Sequence, residues 1–65
     1  MDQIEAKMLE IYKLRDGDNV LVTNVTLSIV NGIWHASAIR KKDGLRLSLP
    51  GSTPMAALSL LLSDL

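Results

Sequence analysis

Residues 20–49 decide the fold and read VLVTNVTLSIVNGIWHASAIRKKDGLRLSL. From Val20 onward apolar and polar side chains alternate with a period of two, which is typical of strands that bury one face. Asn31-Gly32 interrupts this alternation, and Asn-Gly is the strongest short signal for a two-residue hairpin turn, because both central residues need a positive φ. The turn predicts a register that pairs Val30 with Ile33, Ile29 with Trp34, Leu27 with Ala36 and Val25 with Ala38.

A second turn signal, Asp43-Gly44, follows the predicted hairpin. A two-residue loop there pairs Lys42 with Leu45, Arg40 with Leu47 and Ala38 with Leu49. A slip of one residue at either turn would move apolar side chains to the opposite face, so the agreement of the two registers favours a three-stranded antiparallel meander. Its sheltered face is predicted to hold Leu21, Val25, Leu27, Ile29, Trp34, Ala36, Ala38, Leu45, Leu47 and Leu49.

An amphipathic helix is predicted before the strands. Its apolar side chains recur at spacings of three and four residues, and Asp2 with Glu5 has the spacing of a capping box. Gly17 is in position to end this helix in the left-handed conformation. The apolar stripe consists of Ile4, Met8, Ile11 and Leu14.

A second helix is predicted after the strands, with Thr53 as its N-cap and Pro54 at its first position. One face collects large apolar side chains, and Leu60 is the one bulky apolar residue on the other side. The apolar face consists of Met55, Leu58, Leu61, Leu62 and Leu65.

The order of these elements is α-β-β-β-α, which predicts an α+β fold with both helices packed on one face of the sheet. We expect residues 1–65 to form a single two-layer domain. A chain of this size has a small core, and with no cysteine it has no disulfide to compensate. Its stability must therefore come from packing or from a partner, and a homodimer is one expectation.

Composition and charge narrow the function. Seven basic residues balance seven acidic ones, which argues against a strongly basic whole surface. Residues 1–3 lack the cationic start of a signal peptide, and the apolar residues 54–65 are too few to cross a bilayer. We therefore expect a cytoplasmic protein with no membrane association.

Little in the sequence points to catalysis. The only histidine, His35, is predicted opposite Ser28 on the outward face, where no carboxylate is available to orient a Ser/His pair. An exposed strand histidine is the favoured interpretation. Asp16-Gly17-Asp18-Asn19 resembles a calcium loop, but the twelfth position from Asp16 is Leu27 rather than Glu. We expect no enzyme activity, no metal and no cofactor.

Charge is distributed unevenly along the chain. The basic rim (Arg40, Lys41, Lys42 and Arg46) sums with Asp43 to +3, whereas residues 1–19 sum to −2, from three basic and five acidic side chains. The basic rim suits a phosphate backbone or an acidic protein patch. The alternative is that these are solvated charges at the tip of an exposed hairpin.

The predicted outward face of the sheet is the candidate contact surface. It is more apolar near its two ends than a solvated sheet face requires, and such a patch often marks an interaction site. The alternative is the preference of β-branched residues for strands. The interface residues predicted here are Val22, Thr26, Val30, Ile33, His35 and Ile39, with the basic rim beside them.

Two families resemble parts of the chain. The order α-β-β-β-α and Gly51-Ser52-Thr53 before an Ala/Leu-rich helix resemble the double-stranded RNA-binding domain. The lysine cluster that starts the last helix of that family is Thr53-Pro54-Met55-Ala56 here, so the resemblance implies its topology without its RNA-contact residues. Trp34 on a strand and the helix opened by Thr53-Pro54 resemble small bacteriophage proteins of the ABA-sandwich type, which implies a phage or mobile-element origin.

We therefore expect a small non-enzymatic protein-interaction module that self-associates. With a phage origin, it would act in the host cytoplasm as an accessory protein that binds and modulates, or inhibits, a host component such as a defence system. The alternative is a nucleic-acid-binding domain that uses the basic hairpin of residues 40–46.

Overall fold

Two helices flank the strands in the computed structural model, which describes residues 2–65. The three longer strands form an antiparallel sheet in their sequence order, and the two shortest pair with each other. This confirms the predicted α+β class and the three-stranded meander, and the short two-stranded pair is an addition to it. The elements are α1 (Gln3–Tyr12), β1 (Arg15–Asp16), β2 (Asn19–Val20), β3 (Val22–Val30), β4 (Ile33–Arg40), β5 (Arg46–Gly51) and α2 (Pro54–Asp64).

Both helices begin at the predicted caps. The side chain of Asp2 accepts a hydrogen bond of 2.7 Å from the Glu5 amide, and that of Thr53 accepts one of 3.1 Å from the Ala56 amide. Pro54 occupies the first turn of α2, where a missing N–H costs nothing. Each cap is worth about 1 kcal/mol, which matters in a domain with a small core.

The end of α1 differs from the prediction. The helix ends at Tyr12 with Lys13 as its C-cap, so Gly17 does not end it. Gly17 has a φ of +65° and lies in the turn that joins β1 to β2, where Asp16 pairs with Asn19. The Asp, Gly and Asn residues at positions 16–19 therefore form the turn of a separate short hairpin and do not end the helix.

The register of β3 on β4 is as predicted from Thr26 to the Asn31-Gly32 turn, but a β-bulge interrupts it between Thr23 and Thr26. Asn24 adopts a φ of +56° in this bulge. The extra residue reverses the faces of the strand before it. Val22, predicted on the outward face, is therefore fully buried beneath the helices.

The register of β4 on β5 is shifted by two residues from the prediction. Ala38 pairs with Leu47 and not with Leu49, because residues 41–44 form a four-residue loop instead of a two-residue one. The loop is closed by bonds from the Arg40 amide to the Leu45 carbonyl and from the Gly44 amide to the Arg40 carbonyl. A shift of two keeps every side chain on its predicted face.

The core lies between the sheet and both helices, which share one face of the sheet as predicted. Two predicted sheltered residues fall outside it. Ile29, one residue before the pair that flanks the β3-β4 turn, is 54% exposed, and Leu45, in the loop before β5, is 48% exposed. The buried cluster consists of Ile11, Val22, Val25, Ala36, Ala38, Ala57, Leu58 and Leu61. Neither helix described in residues 2–65 is long and apolar enough to span a membrane.

Small residues let α2 approach the sheet closely. Gly51, at the end of β5, lies directly against the backbone of α2, and a Cβ added to it would come within 2.8 Å of the Ala57 Cα. Ala57 itself is fully buried. Because the obstacle is helix backbone rather than a flexible side chain, the contact leaves no room for a larger residue.

We expect Gly51→Ala to lower the free energy of unfolding by about 1–3 kcal/mol, since the added methyl group forces α2 away from the sheet. Urea unfolding monitored by the fluorescence of Trp34 measures the change. Ser52→Ala, at the exposed neighbouring position, is the matched control. Equal stability of the Gly51→Ala variant and the wild type would show that the layers do not depend on this contact.

Candidate functional site

The face of the sheet opposite the helices is the main candidate. Because Ala36 and Ala38 are buried beneath the helices, the alternate residues of β4 point the other way. The pairings of β3 and β5 with these residues define the rest of the surface. We call it the open face, and it consists of Thr23, Thr26, Ser28, Val30, Ile33, His35, Ser37, Ile39, Arg46, Ser48 and Pro50.

Five of the six predicted interface residues lie on the open face. They are Thr26, Val30, Ile33, His35 and Ile39. The sixth, Val22, belongs to the core on the helix side, and the bulge puts Thr23 in the position opposite Ile39 instead. A signal for this was Asn24, since asparagine is disfavoured inside a strand and tolerates a positive φ.

The open face has a polar centre and apolar ends. At the centre the Ser37 hydroxyl donates to the Ser48 hydroxyl over 3.2 Å, and Ser37 is only 9% exposed. At the turn end Val30 and Ile33 are 54% and 47% exposed. At the other end Ile39 is half-buried and pairs with Arg46. The surface combines apolar contact area with hydroxyl groups.

His35 is half-buried in the middle strand and pairs with Ser28 on one side and Pro50 on the other. The open face contains no Asp or Glu, so the pair of Ser28 and His35 has no carboxylate beside it to orient the imidazole. Within residues 2–65 no group of three or more His, Asp or Glu side chains could hold a metal ion. His35 is therefore a central residue of the open face, paired across the strand with the hydroxyl residue Ser28.

The basic rim does not form one continuous surface. Arg40 shares the helix side with Val22, whereas Arg46 lies on the open face beside Ile39. Lys41 and Lys42 are exposed on the loop between them. The four cations that are close together in the sequence therefore point in three directions in the structure: Arg40 to the helix side, Arg46 to the open face, and Lys41 and Lys42 into solvent on the loop.

Asp43 neutralises part of this charge. Its carboxylate accepts from Arg40 twice, Nε to Oδ1 at 3.1 Å and Nη2 to Oδ2 at 2.7 Å, and from the Leu45 amide at 3.1 Å. The Arg40 hydrogen bond, then the Leu45 amide, lower the pKa of Asp43 to about 2. The same hydrogen bond raises the pKa of Arg40. These bonds order the loop that sets the β4-β5 register.

A small cavity of about 190 Å³ lies where this loop meets the β1-β2 hairpin. The Lys41 amide donates to the Leu21 carbonyl over 3.0 Å and holds the two segments together. The lining includes Asp16 as well as Lys41 and Lys42, so the acidic and basic segments of the sequence meet at one end of the molecule. The cavity is smaller than usual small-molecule sites, which span roughly 300–1,000 Å³.

The outer edge of β3 is a feature that the sequence reasoning missed. The Val25 amide donates to the Tyr12 hydroxyl over 3.1 Å, and that hydroxyl donates to the Val25 carbonyl over 3.5 Å. One side chain of α1 thus satisfies both outward backbone groups of Val25. The rest of the edge, toward the Asn31-Gly32 turn, has no neighbouring strand among residues 2–65.

Comparison with protein-family models, curated proteins and solved structures found no match to the chain. The resemblances to the double-stranded RNA-binding domain and to ABA-sandwich phage proteins therefore stay predictions.

The acidity of Asp43 tests the loop geometry. We expect its side-chain carboxyl to titrate at about 2 in an NMR titration, and Arg40→Gln to move that pKa toward the ordinary value of 3.8. Because the folded pKa is depressed, the contribution of Asp43 to stability is present above pH 3.8 and is lost as the pH falls through about 2. Lys41→Gln, in the same loop, should leave the midpoint unchanged. A wild-type midpoint near 3.8 would contradict the bidentate contact.

Proposed function

We propose that this chain is a small non-enzymatic protein-interaction module that binds its partner through the open face. The observation that carries the proposal is the pair of half-exposed apolar side chains, Val30 and Ile33, at the end of a surface without carboxylates. Contact surfaces between proteins combine exposed apolar side chains of this kind with hydrogen-bonding groups beside them.

Preorganisation supports the same function. The open face is held by two strand ladders and by helices packed on its far side, so its side chains are ordered before a partner arrives. A rigid surface loses less conformational entropy on binding than a loop does. Even a small contact area on this face can therefore support specific binding.

With the phage origin that the ABA-sandwich resemblance implies, the partner is a host component. In this proposal the module acts in the host cytoplasm as an accessory protein that modulates or inhibits that component, such as part of a defence system. Occupation of a partner's surface by a rigid sheet is enough for inhibition and needs no catalytic group.

A matched pair of substitutions tests which surface binds. Ile33 on the open face and Leu60 on the back of α2 are 47% and 50% exposed, so lysine fits at either position without disturbing the core. We expect Ile33→Lys to reduce retention of the partner about tenfold, equivalent to about 1.4 kcal/mol. Leu60→Lys should retain it like the wild type.

The measurement is quantitative affinity capture from host-cell lysate with immobilised wild type, Ile33→Lys and Leu60→Lys. The captured partner is then purified and titrated against each of the three proteins. Circular dichroism confirms that both variants are folded. If Leu60→Lys abolishes retention and Ile33→Lys does not, α2 is the contact surface. If no protein distinguishes the wild type from Ile33→Lys, the proposal is wrong.

Nucleic-acid binding through the basic rim is the competing proposal. Exposed Lys41 and Lys42 favour it, whereas the pairing of Arg40 with Asp43 and the nearby Asp16 weaken it. We expect labelled duplex RNA and single-stranded DNA to show no salt-dependent change in fluorescence anisotropy, because few free cations face one direction. Binding that weakens steeply with salt and is lost in a Lys41→Gln/Lys42→Gln variant would favour the nucleic-acid function instead.

A further inference from the structure

We propose that a second copy of this chain pairs with the free edge of β3, so that two sheets join in an antiparallel dimer with Leu27 opposite Ile29 of the other copy. Self-association is expected of so small a domain, and this inference names the edge of β3 as the surface that makes the contact. It does not depend on the identity of a heterologous partner for the open face.

The backbone of β3 presents unpaired groups in a defined segment. Val30 and Ile33 flank the two-residue turn and form a hydrogen-bonded pair, so the alternate residues Ile29 and Leu27 direct their N–H and C=O groups away from β4. Val25 has the same orientation, and its two groups are the ones that Tyr12 engages. Leu27 and Ile29 have no such partner among residues 2–65.

The two edges of the sheet are protected differently. On β5 the residues whose backbone groups point away from β4 include Arg46 and Pro50. Arg46 carries a charge and Pro50 has no N–H, and both properties discourage strand pairing. The nine residues of β3 include neither a charged residue nor a proline. An unprotected edge of this length is a template for another strand.

The segment is self-complementary in one register. With Leu27 opposite Ile29 of the second copy, and the reverse, two hydrogen-bonded pairs form and each exchanges two N–H···O=C bonds. Placing Leu27 opposite Leu27 would instead bring Ile29 against Val25, whose groups Tyr12 already occupies. The Tyr12 contact and the Asn31-Gly32 turn therefore limit the pairing to one register.

Exposed apolar side chains fit this arrangement. Ile29 and Val30 are each 54% exposed on opposite faces of β3. In the dimer Ile29 lies against Leu27 of the second copy on the helix side, and Val30 lies against Thr26 of the second copy on the open face. Both apolar side chains lose contact with water, which favours association.

The symmetry closes the assembly. The two-fold axis passes between the Ser28 residues of the two copies and runs perpendicular to the sheet, so all helices lie on one side of a six-stranded sheet. The remaining edges are both β5, which Arg46 and Pro50 protect. The pairing gives a dimer rather than a fibre, and it joins two open faces into one surface.

Disulfide trapping tests the register, because the chain has no natural cysteine. In the proposed dimer Ser28 lies opposite Ser28 of the second copy in a non-hydrogen-bonded pair. The two Cα atoms of such a pair are about 4.5 Å apart, which is within reach of a disulfide. We expect Ser28→Cys to form a covalent dimer on mild oxidation, seen by non-reducing electrophoresis. Thr26→Cys is the same-strand control: its two Cα atoms would lie about 14 Å apart in the dimer, so it should form no covalent dimer.

A charge at the axis provides the second measurement. We expect the wild type to sediment as a dimer at micromolar concentration and Ser28→Lys as a monomer with an unchanged circular dichroism spectrum. Ser48→Lys, on the protected edge, should remain dimeric. A monomeric wild type overturns both this inference and self-association. A dimer that Ser28→Cys does not trap overturns only the β3 edge.

Discussion

The close contact between α2 and the sheet determines which face of the sheet is left open. It is made by residues with almost no side chain, Ala36 and Ala38 on the middle strand and Gly51 against the backbone at Ala57. Their small size brings the helix close enough for Leu58 to be buried completely. With this side covered, the remaining face is the only broad sheet surface that residues 2–65 offer to a partner.

Local signals in the sequence predicted the elements that local chemistry determines. Asp2, Thr53 and the Asn31-Gly32 turn act within four residues of themselves, and all three behave as predicted. The alternation along β4 predicted its two faces because the hydrophobic period is a direct record of burial. These elements were enough to give the fold class.

The remaining features depend on contacts between distant segments. The bulge at Asn24 goes with the contact between Tyr12 on α1 and the strand edge, thirteen residues apart along the chain. Likewise the Asp43-Gly44 signal resembled a two-residue turn, but the Arg40 contact to Asp43 accompanies a four-residue loop. The first difference removed Val22 from the predicted interface, whereas the second preserved every face.

The core takes side chains from the helix that precedes the strands in the sequence and from the helix that follows them. Ile11 comes from α1, and Leu58 and Leu61 come from α2. The three strands are joined by short loops and pair through contacts that are local in sequence, whereas both helices must dock to cover the inner face of the sheet. Local opening of either helix exposes apolar side chains of this face to water. Such exposure favours aggregation, so the protection of the sheet depends on both helices staying docked.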